Sequence, residues 1–364
     1  MDSTQLVVRR DRLAEHEIAT TPRGPLAPGD AELHVDLFGF TANNVTYALR
    51  GESHLYWRFF PEARPGWGRI PVWGFGTVVR SAAEGVSVGE RFYGYFPMAS
   101  HLVIQPRRVD AAGLFDGAPH RRDLGTIYNH YLRTTRDPSY HPDTEPQQVV
   151  LRPLFATSFF IADYLREYGF FDAEVVVISS ASSKLACGIA FALAADARRD
   201  RRKVIGLTSE RNAAVVNRLG LFDRVVLYPD VATLSTTRRA VYVDIAGSPG
   251  LRTQIHAHLG GALRHSLIVG ATHQNVQAPV ALPGPEPVPF FVPVWIKQRN
   301  QQWTPEGVRR RVSEGWRAFV AAMLDPARGW MTVVTSAGPA AAARAYADVV
   351  TGRARPDQGH VLSL

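Results

Sequence analysis

The run Val175–Val176–Val177–Ile178–Ser179–Ser180–Ala181–Ser182–Ser183–Lys184, continuing into Leu185–Ala186–Cys187–Gly188–Ile189–Ala190–Phe191–Ala192–Leu193, decides the fold. Four consecutive β-branched apolar residues read as a parallel strand buried on both faces, and the alanine-rich segment after the small-residue turn reads as a helix. A strand–tight turn–helix junction is where open α/β sheets bind phosphates, because the unpaired N–H groups and the positive dipole end of the helix face the ligand. Here serines and one lysine fill the turn that glycines usually fill.

Working outward, strands alternate with helices from about 151 to 275. The strand 175–178 is followed by a helix near 183–197, a strand at 204–208, a helix near 210–219 and short strands at 224–227 and 240–245. A helix at about 251–263 leads into a strand at 266–270. This spacing predicts an α/β domain with a doubly wound parallel sheet. The proline-rich stretch 279–293 reads as a linker or loop, a helix follows near 305–324, and the chain closes with a strand near 330–334, a helix at 340–351 and a strand at 360–364. Before about residue 110 the pattern is strand-rich, with Ala31–Glu32–Leu33–His34–Val35–Asp36–Leu37 alternating at period two. Glycines punctuate 72–79 and 85–95 as they do at barrel corners. Residues 113–150 are rich in His, Arg, Asp and Pro and read as a long polar loop or insertion, a length that suggests function.

The 364 residues suffice for two domains, and 46% hydrophobic composition supports ordinary cores. No run of eighteen apolar residues occurs, so no membrane association is expected. The first residues lack a signal-peptide pattern and Cys187 is the sole cysteine, which together predict a cytoplasmic protein without an intramolecular disulfide or cysteine zinc site. The net charge of +8 comes almost wholly from arginine, Lys184, Lys203 and Lys297 being the only lysines. These arginines spread along the chain, and the densest run, 198–203, falls in a loop; no nucleic-acid partner is expected.

Several segments resemble the zinc-free quinone reductase and enoyl reductase side of the medium-chain dehydrogenase/reductase superfamily. Pro71–Val79, Gly85–Val86, Gly89–Glu90–Arg91–Phe92 and Tyr93–Gly94 look like its barrel segment, and Asn43–Asn44 with Gly51 like its substrate-side turn. Leu219–Gly220–Leu221–Phe222–Asp223–Arg224–Val225 resembles its turn into the third strand, and Gly352 to Gly359–His360–Val361–Leu362 its closing helix and strand. Runs such as Thr41–Ala42–Asn43–Asn44, Tyr95–Phe96–Pro97–Met98 and Arg152–Pro153–Leu154–Phe155 are similar to a branch of that superfamily labelled only as a domain of unknown function. The resemblance implies a GroES-like β-barrel domain over 1–150 and a Rossmann domain over 151–285. It also implies a segment 286–364 that completes the sheet and returns to the barrel domain.

On that alignment Ser179 stands at the family's first glycine, Ser182 and Ser183 at the next two and Leu185 at the last. Ser180, Ser182, Ser183 and Lys184 would then surround a pyrophosphate; a degenerate turn without cofactor is the alternative. At the end of the next strand, Thr208 and Ser209 stand where an NAD enzyme places a carboxylate, and Arg211 follows, which suits a 2′-phosphate. A charge-assisted contact of about 1.5–3 kcal/mol would favour NADP(H) by roughly ten- to hundredfold. Glu210 turned inward would favour NAD, and both residues also fit a solvated first helical turn.

No short metal-ligand spacing appears among His120, His130, His141, Asp123, Asp137 and Asp143, so no metal is expected. Similarity to the enoyl reductases implies Asn44, Tyr47 and Tyr56 as catalytic candidates at the cofactor mouth, a tyrosine donating the proton that accompanies hydride transfer. His273 is the reserve. The reading is an NADPH-dependent, zinc-free oxidoreductase reducing an activated double bond in a small molecule, with a homodimer through the nucleotide-domain sheet edge. The alternative is a reductase-like accessory or binding protein, or a non-redox lyase or isomerase.

Overall fold

A computed structural model describes residues 2–195, 202–269, 282–325 and 329–364. The chain forms two compact units, Met1–Arg152 with Thr332–Leu364, and Pro153–Met331.

The first unit is built on Ala31–Phe40, whose alternating residues bury Leu33, Val35, Phe38 and Phe40 in the core. This strand pairs antiparallel with Pro71–Ser81, His101–Ile104 and Gln358–Ser363. The sheet extends through Arg91–Pro97, His130–Arg133, Gly113–Asp116 and Pro106–Arg107. At the opposite edge Thr332–Ala337 runs parallel to Gln358–Ser363, the two joined by the helix Pro339–Val350. A smaller sheet of His16–Pro22, Asp2–Arg9 and Trp67–Gly68 completes the unit. Gly39 is required by packing: a Cβ there would stand 2.4 Å from the Val149 carbonyl oxygen.

The segment 113–150 is not the polar loop expected from its composition. Gly113–Asp116 and His130–Arg133 pair with each other, and the latter with Arg91–Pro97. Arg121, 1% exposed, holds the turn between them. Its guanidinium donates to Asp116 at 2.7 Å, Asn129 at 2.8 Å and the Tyr128 carbonyl at 2.7 Å. The misreading has a simple cause: Arg121 and Asp116 neutralise each other inside the unit, so their polarity does not mark solvent, although neighbours such as His120, Arg122 and Asp123 are exposed.

Among the described residues of the second unit, six parallel strands lie in the order Arg224–Leu227, Lys203–Thr208, Val175–Ile178, Ala240–Asp244, Leu263–Ile268, Val288–Pro289. Numbered along the chain this is 3-2-1-4-5-6, the order of dinucleotide-binding sheets, which reverses direction beside Val175–Ile178. Short helices Lys184–Ala194, Glu210–Leu219 and Pro249–Leu259 connect the strands. The helix expected near 305–324 begins earlier and runs Val292–Leu324 with a break at Thr304 (φ 62°). Pro305 starts the second stretch, and the Thr304 hydroxyl accepts from the Gly307 N–H at 3.2 Å, a cap that re-initiates the helix.

Candidate functional site

The serine turn lies at the C-terminal end of the first strand, beside the reversal in strand order. Ser179 is fully buried and spent on structure. Its Oγ accepts from the Ile245 and Ala246 N–H groups (2.9 and 3.0 Å) and donates to Asp244 Oδ1 at 3.2 Å. Ser180 takes the left-handed conformation that glycine supplies elsewhere (φ 52°), and its N–H donates to the Tyr228 hydroxyl at 3.2 Å. Ser182 Oγ accepts from Asn212 at 3.1 Å, and Ser183 Oγ caps the helix by accepting from the Ala186 N–H at 3.1 Å. A hydroxyl that accepts still has its own proton to give. Ser182 and Ser183 therefore retain donors toward an anion, whereas Ser179 does not. Lys184 opens the helix. Gly206 on the neighbouring strand lets the turn pack closely, since a Cβ there would meet Ala181 Cβ at 2.8 Å.

Thr208, buried, ends the second strand. Ser209 begins the helix Glu210–Leu219 without using its hydroxyl as a cap. Arg211 stands exposed in the first turn of that helix.

Asp244, which the sequence reading passed over, organises this end of the sheet. Fully buried, it accepts from Ser179, from the Tyr242 hydroxyl (3.1 Å) and from the Gly247 N–H (2.9 Å), and it pairs with Arg252 at 2.8 Å. The signal was present as a carboxylate closing an apolar strand, Ala240–Val241–Tyr242–Val243–Asp244, because a buried charge requires a partner. Cys187 is half-buried, its thiol donates to the Ala181 carbonyl, and desolvation pushes it up to about 12, which keeps it protonated at neutral pH.

In the first unit the structure brings Tyr47 and Tyr56 together, ring centroids 4.7 Å apart. Tyr47 rides on the helix Ala42–Leu49, and its hydroxyl accepts from Trp73 Nε1 at 3.4 Å. Tyr56 follows Leu55, which has φ 62°, and its hydroxyl shares a 3.2 Å hydrogen bond with that of Tyr128. Tyr95 lies 5.7 Å from Tyr47 and 4.8 Å from Tyr128, and its buried hydroxyl has no hydrogen-bond partner among the described residues. Neither Tyr95 nor Tyr128 was singled out from sequence. Burial pushes the Tyr47 phenol up to about 12 and those of Tyr95 and Tyr128 well above their ordinary value. At neutral pH these three are donors.

Asn44 does not present its amide beside these rings. Its Oδ1 accepts from the Thr41 N–H at 2.9 Å in a reciprocal cap, and its Nδ2 donates to the Pro71 carbonyl at 3.1 Å. It fixes the helix on which Tyr47 stands one turn later. His273 lies outside the described residues. Among the described residues no cluster of three or more His, Cys, Asp or Glu side chains could hold a metal ion, and no helix is long and apolar enough to cross a membrane.

No curated protein matches the sequence. Solved structures share its fold at low identity. The CurA–NADPH complex from Vibrio vulnificus superimposes with a TM-score of 0.60 at 11% identity, covering 99% of this chain and 98% of that one. A mutant enoyl thioester reductase from Candida tropicalis gives 0.56 at 10% identity over 100% of both chains. The yhdH oxidoreductase from Salmonella enterica in complex with NADP gives 0.53 at 13% identity over 99% of both. The fold is thus a GroES-like domain with a Rossmann domain. The family model described as "Protein of unknown function (DUF2855)" matches residues 38–355, and the chain belongs to that family.

Proposed function

We propose that this protein is an NADPH-dependent, zinc-free oxidoreductase that reduces an activated double bond in a small molecule: an α,β-unsaturated carbonyl, a thioester or a quinone. The observation that carries the reading is the serine turn at the reversal point of a 3-2-1-4-5-6 parallel sheet, the position where such sheets hold a dinucleotide. Three of the structural neighbours reinforce it, since two are complexes with NADP or NADPH and one is an enoyl thioester reductase.

The residues present fit the cofactor. The left-handed Ser180 reproduces a glycine turn, and the hydroxyl protons of Ser182 and Ser183 remain to be donated. Lys184 and the first N–H groups of the helix Lys184–Ala194 add positive potential for a pyrophosphate. Thr208, Ser209 and Arg211 would hold the ribose 2′-phosphate of that cofactor. When bound, the nicotinamide supplies a hydride. The phenols of Tyr47 and Tyr56, with His273 as the reserve, deliver the proton, and Asn44 positions Tyr47.

Titration of the full chain with NADPH, followed by nucleotide fluorescence, tests this. Saturation is expected, with Lys184→Ala weakening NADPH by about ten- to hundredfold. Arg211→Ala is expected to weaken NADPH far more than NADH, and equal losses would reject Arg211 as the 2′-phosphate ligand.

A second reading has its own observation. The Tyr228 hydroxyl occupies the Ser180 N–H, a donor that a pyrophosphate would otherwise take. This favours a reductase-like accessory or binding protein, or a non-redox lyase or isomerase, and absence of saturable NADPH binding would select it.

The protein also pairs with a second copy along the edge strand Val288–Pro289 in this proposal. The strand ends the six-stranded sheet, and Val288, Phe291 and Val294 near it are exposed. Sedimentation should show a dimer, and the double variant Phe291→Glu, Val294→Glu should sediment as a monomer.

A further inference from the structure

The first unit contains a cavity of about 300 Å³ that the proposed reaction does not use. It is bounded by the strands Asp2–Arg9, His16–Pro22 and His101–Ile104, with Phe59 and Phe60 in its wall. Those two rings separate it from the tyrosines, since both also pack in the cluster that contains Tyr47 and Tyr95.

The charges around this cavity do not cancel. Three guanidiniums, Arg23, Arg69 and Arg121, face two carboxylates, Glu32 and Asp116. Both carboxylates are already committed. Glu32 accepts from Arg23 and from Arg80, each at 2.5 Å, and Asp116 pairs with Arg121 at 2.7 Å. Arg69 is left with the weakest compensation. Its nearest carboxylate, Glu62, lies 3.9 Å away and is shared with Arg64. Otherwise it donates to the Pro61 carbonyl and, at 3.4 Å, to Gln5 Oε1. Its Nε is buried with no hydrogen-bond partner. Desolvation outweighs Glu62 and lowers the Arg69 pKa, so Glu62, Gln5 and the Pro61 carbonyl compensate the cation only in part.

The rest of the lining is compatible with a negative guest. His101 accepts or donates at Nδ1 with Ser100, and His120 donates its Nε2–H to the Phe59 carbonyl. The side chains of Phe59, Phe60 and Leu102 provide an apolar face. Arg121 lies over both rings, 5.4 and 5.1 Å from their centroids, and fixes them in place. A quarter of the Arg69 side chain is exposed, and the residue lines the cavity.

We infer that this cavity is a second binding site, for a small carboxylate with an apolar body such as an aryl or short-chain acid. The carboxylate lies on Arg69 and the body against Phe59, Phe60 and Leu102. The size suits such a ligand, standing at the lower end of the range for small-molecule pockets. The inference does not depend on nucleotide binding by the other unit.

The test is ¹⁹F NMR titration of the full chain with 4-fluorobenzoate. Saturable one-to-one binding is expected, with 4-fluorobenzyl alcohol at least about tenfold weaker because it lacks the charge. Arg69→Gln should weaken 4-fluorobenzoate by a similar factor. Thr21→Trp, which adds bulk at an exposed lining position, should weaken it as well and carries the test if Arg69→Gln does not fold. Thermal melts of both variants establish folding. No saturation by 4-fluorobenzoate, or equal affinity in a folded Arg69→Gln, would overturn the site. Displacement by inorganic phosphate at the affinity of the aryl acid would overturn the apolar-body assignment. NADPH affinity is read separately, so a failure here is distinct from a failure of the reductase reading.

Discussion

Tyr47→Phe or Tyr56→Phe is expected to lower turnover of an α,β-unsaturated ketone by about 10²–10⁴, followed as NADPH consumption, while NADPH affinity stays unchanged. The loss arises because the ring packing survives and only the proton donor is removed. The pH profile separates the candidates. Burial pushes the Tyr47 phenol up to about 12, so it stays protonated through neutrality and supports a rate that is flat until strongly alkaline pH. A rate that instead falls as pH rises through neutrality would exclude Tyr47 as the proton donor. Tyr95→Phe provides a complementary measurement. A buried hydroxyl without a partner costs about 1–3 kcal/mol, so its removal should raise the melting temperature. If turnover of Tyr95→Phe also falls, the hydroxyl is retained for the substrate. Full activity in all three variants would discard the phenol mechanism.

Asp244→Ala is expected to destabilise the protein by about 3–5 kcal/mol, the usual cost of removing one partner from a buried ion pair. The carboxylate collects Ser179, Tyr242, the Gly247 N–H and Arg252, and its loss strands each of them at the reversal point of the sheet. Asp244→Asn keeps one acceptor oxygen and should lose less. Urea denaturation measures both, and a loss below about 1 kcal/mol for the alanine variant would mean that Arg252 finds another partner. Because Ser179 bridges to Asp244, the alanine variant should also loosen the serine turn.

The sheet of the second unit was legible because its strands are continuous apolar runs separated by helical spacing, as with Val175–Ile178 and Ala240–Asp244. The turn was legible for the same reason, since a strand ending in small residues before an alanine-rich helix has few alternatives. The segment 113–150 was misread because pattern reading assigns charged residues to water, and Arg121 with Asp116 and Asn129 violates that rule by mutual satisfaction. Tyr95 and Tyr128 escaped for a different reason. They come from segments that pairing and turns bring beside Tyr47 and Tyr56, and no local periodicity records such an approach. Asn44 was named from the resemblance as a catalytic candidate, and its amide is taken up by Thr41 and Pro71, contacts that no local sequence pattern records.

The serine turn also has a bearing on the unfolded chain. Glycines make a phosphate loop easy to bend but leave it many conformations to lose on folding, and serines restrict those conformations in advance. Ser180 adds a strain cost of about 1–2 kcal/mol for its left-handed backbone, which the hydrogen bonds to Tyr228, Asn212 and Asp244 help to offset. Order in this loop therefore comes from the protein itself. A ligand arriving there would meet a rigid cradle and would give up little of its binding energy to shaping it.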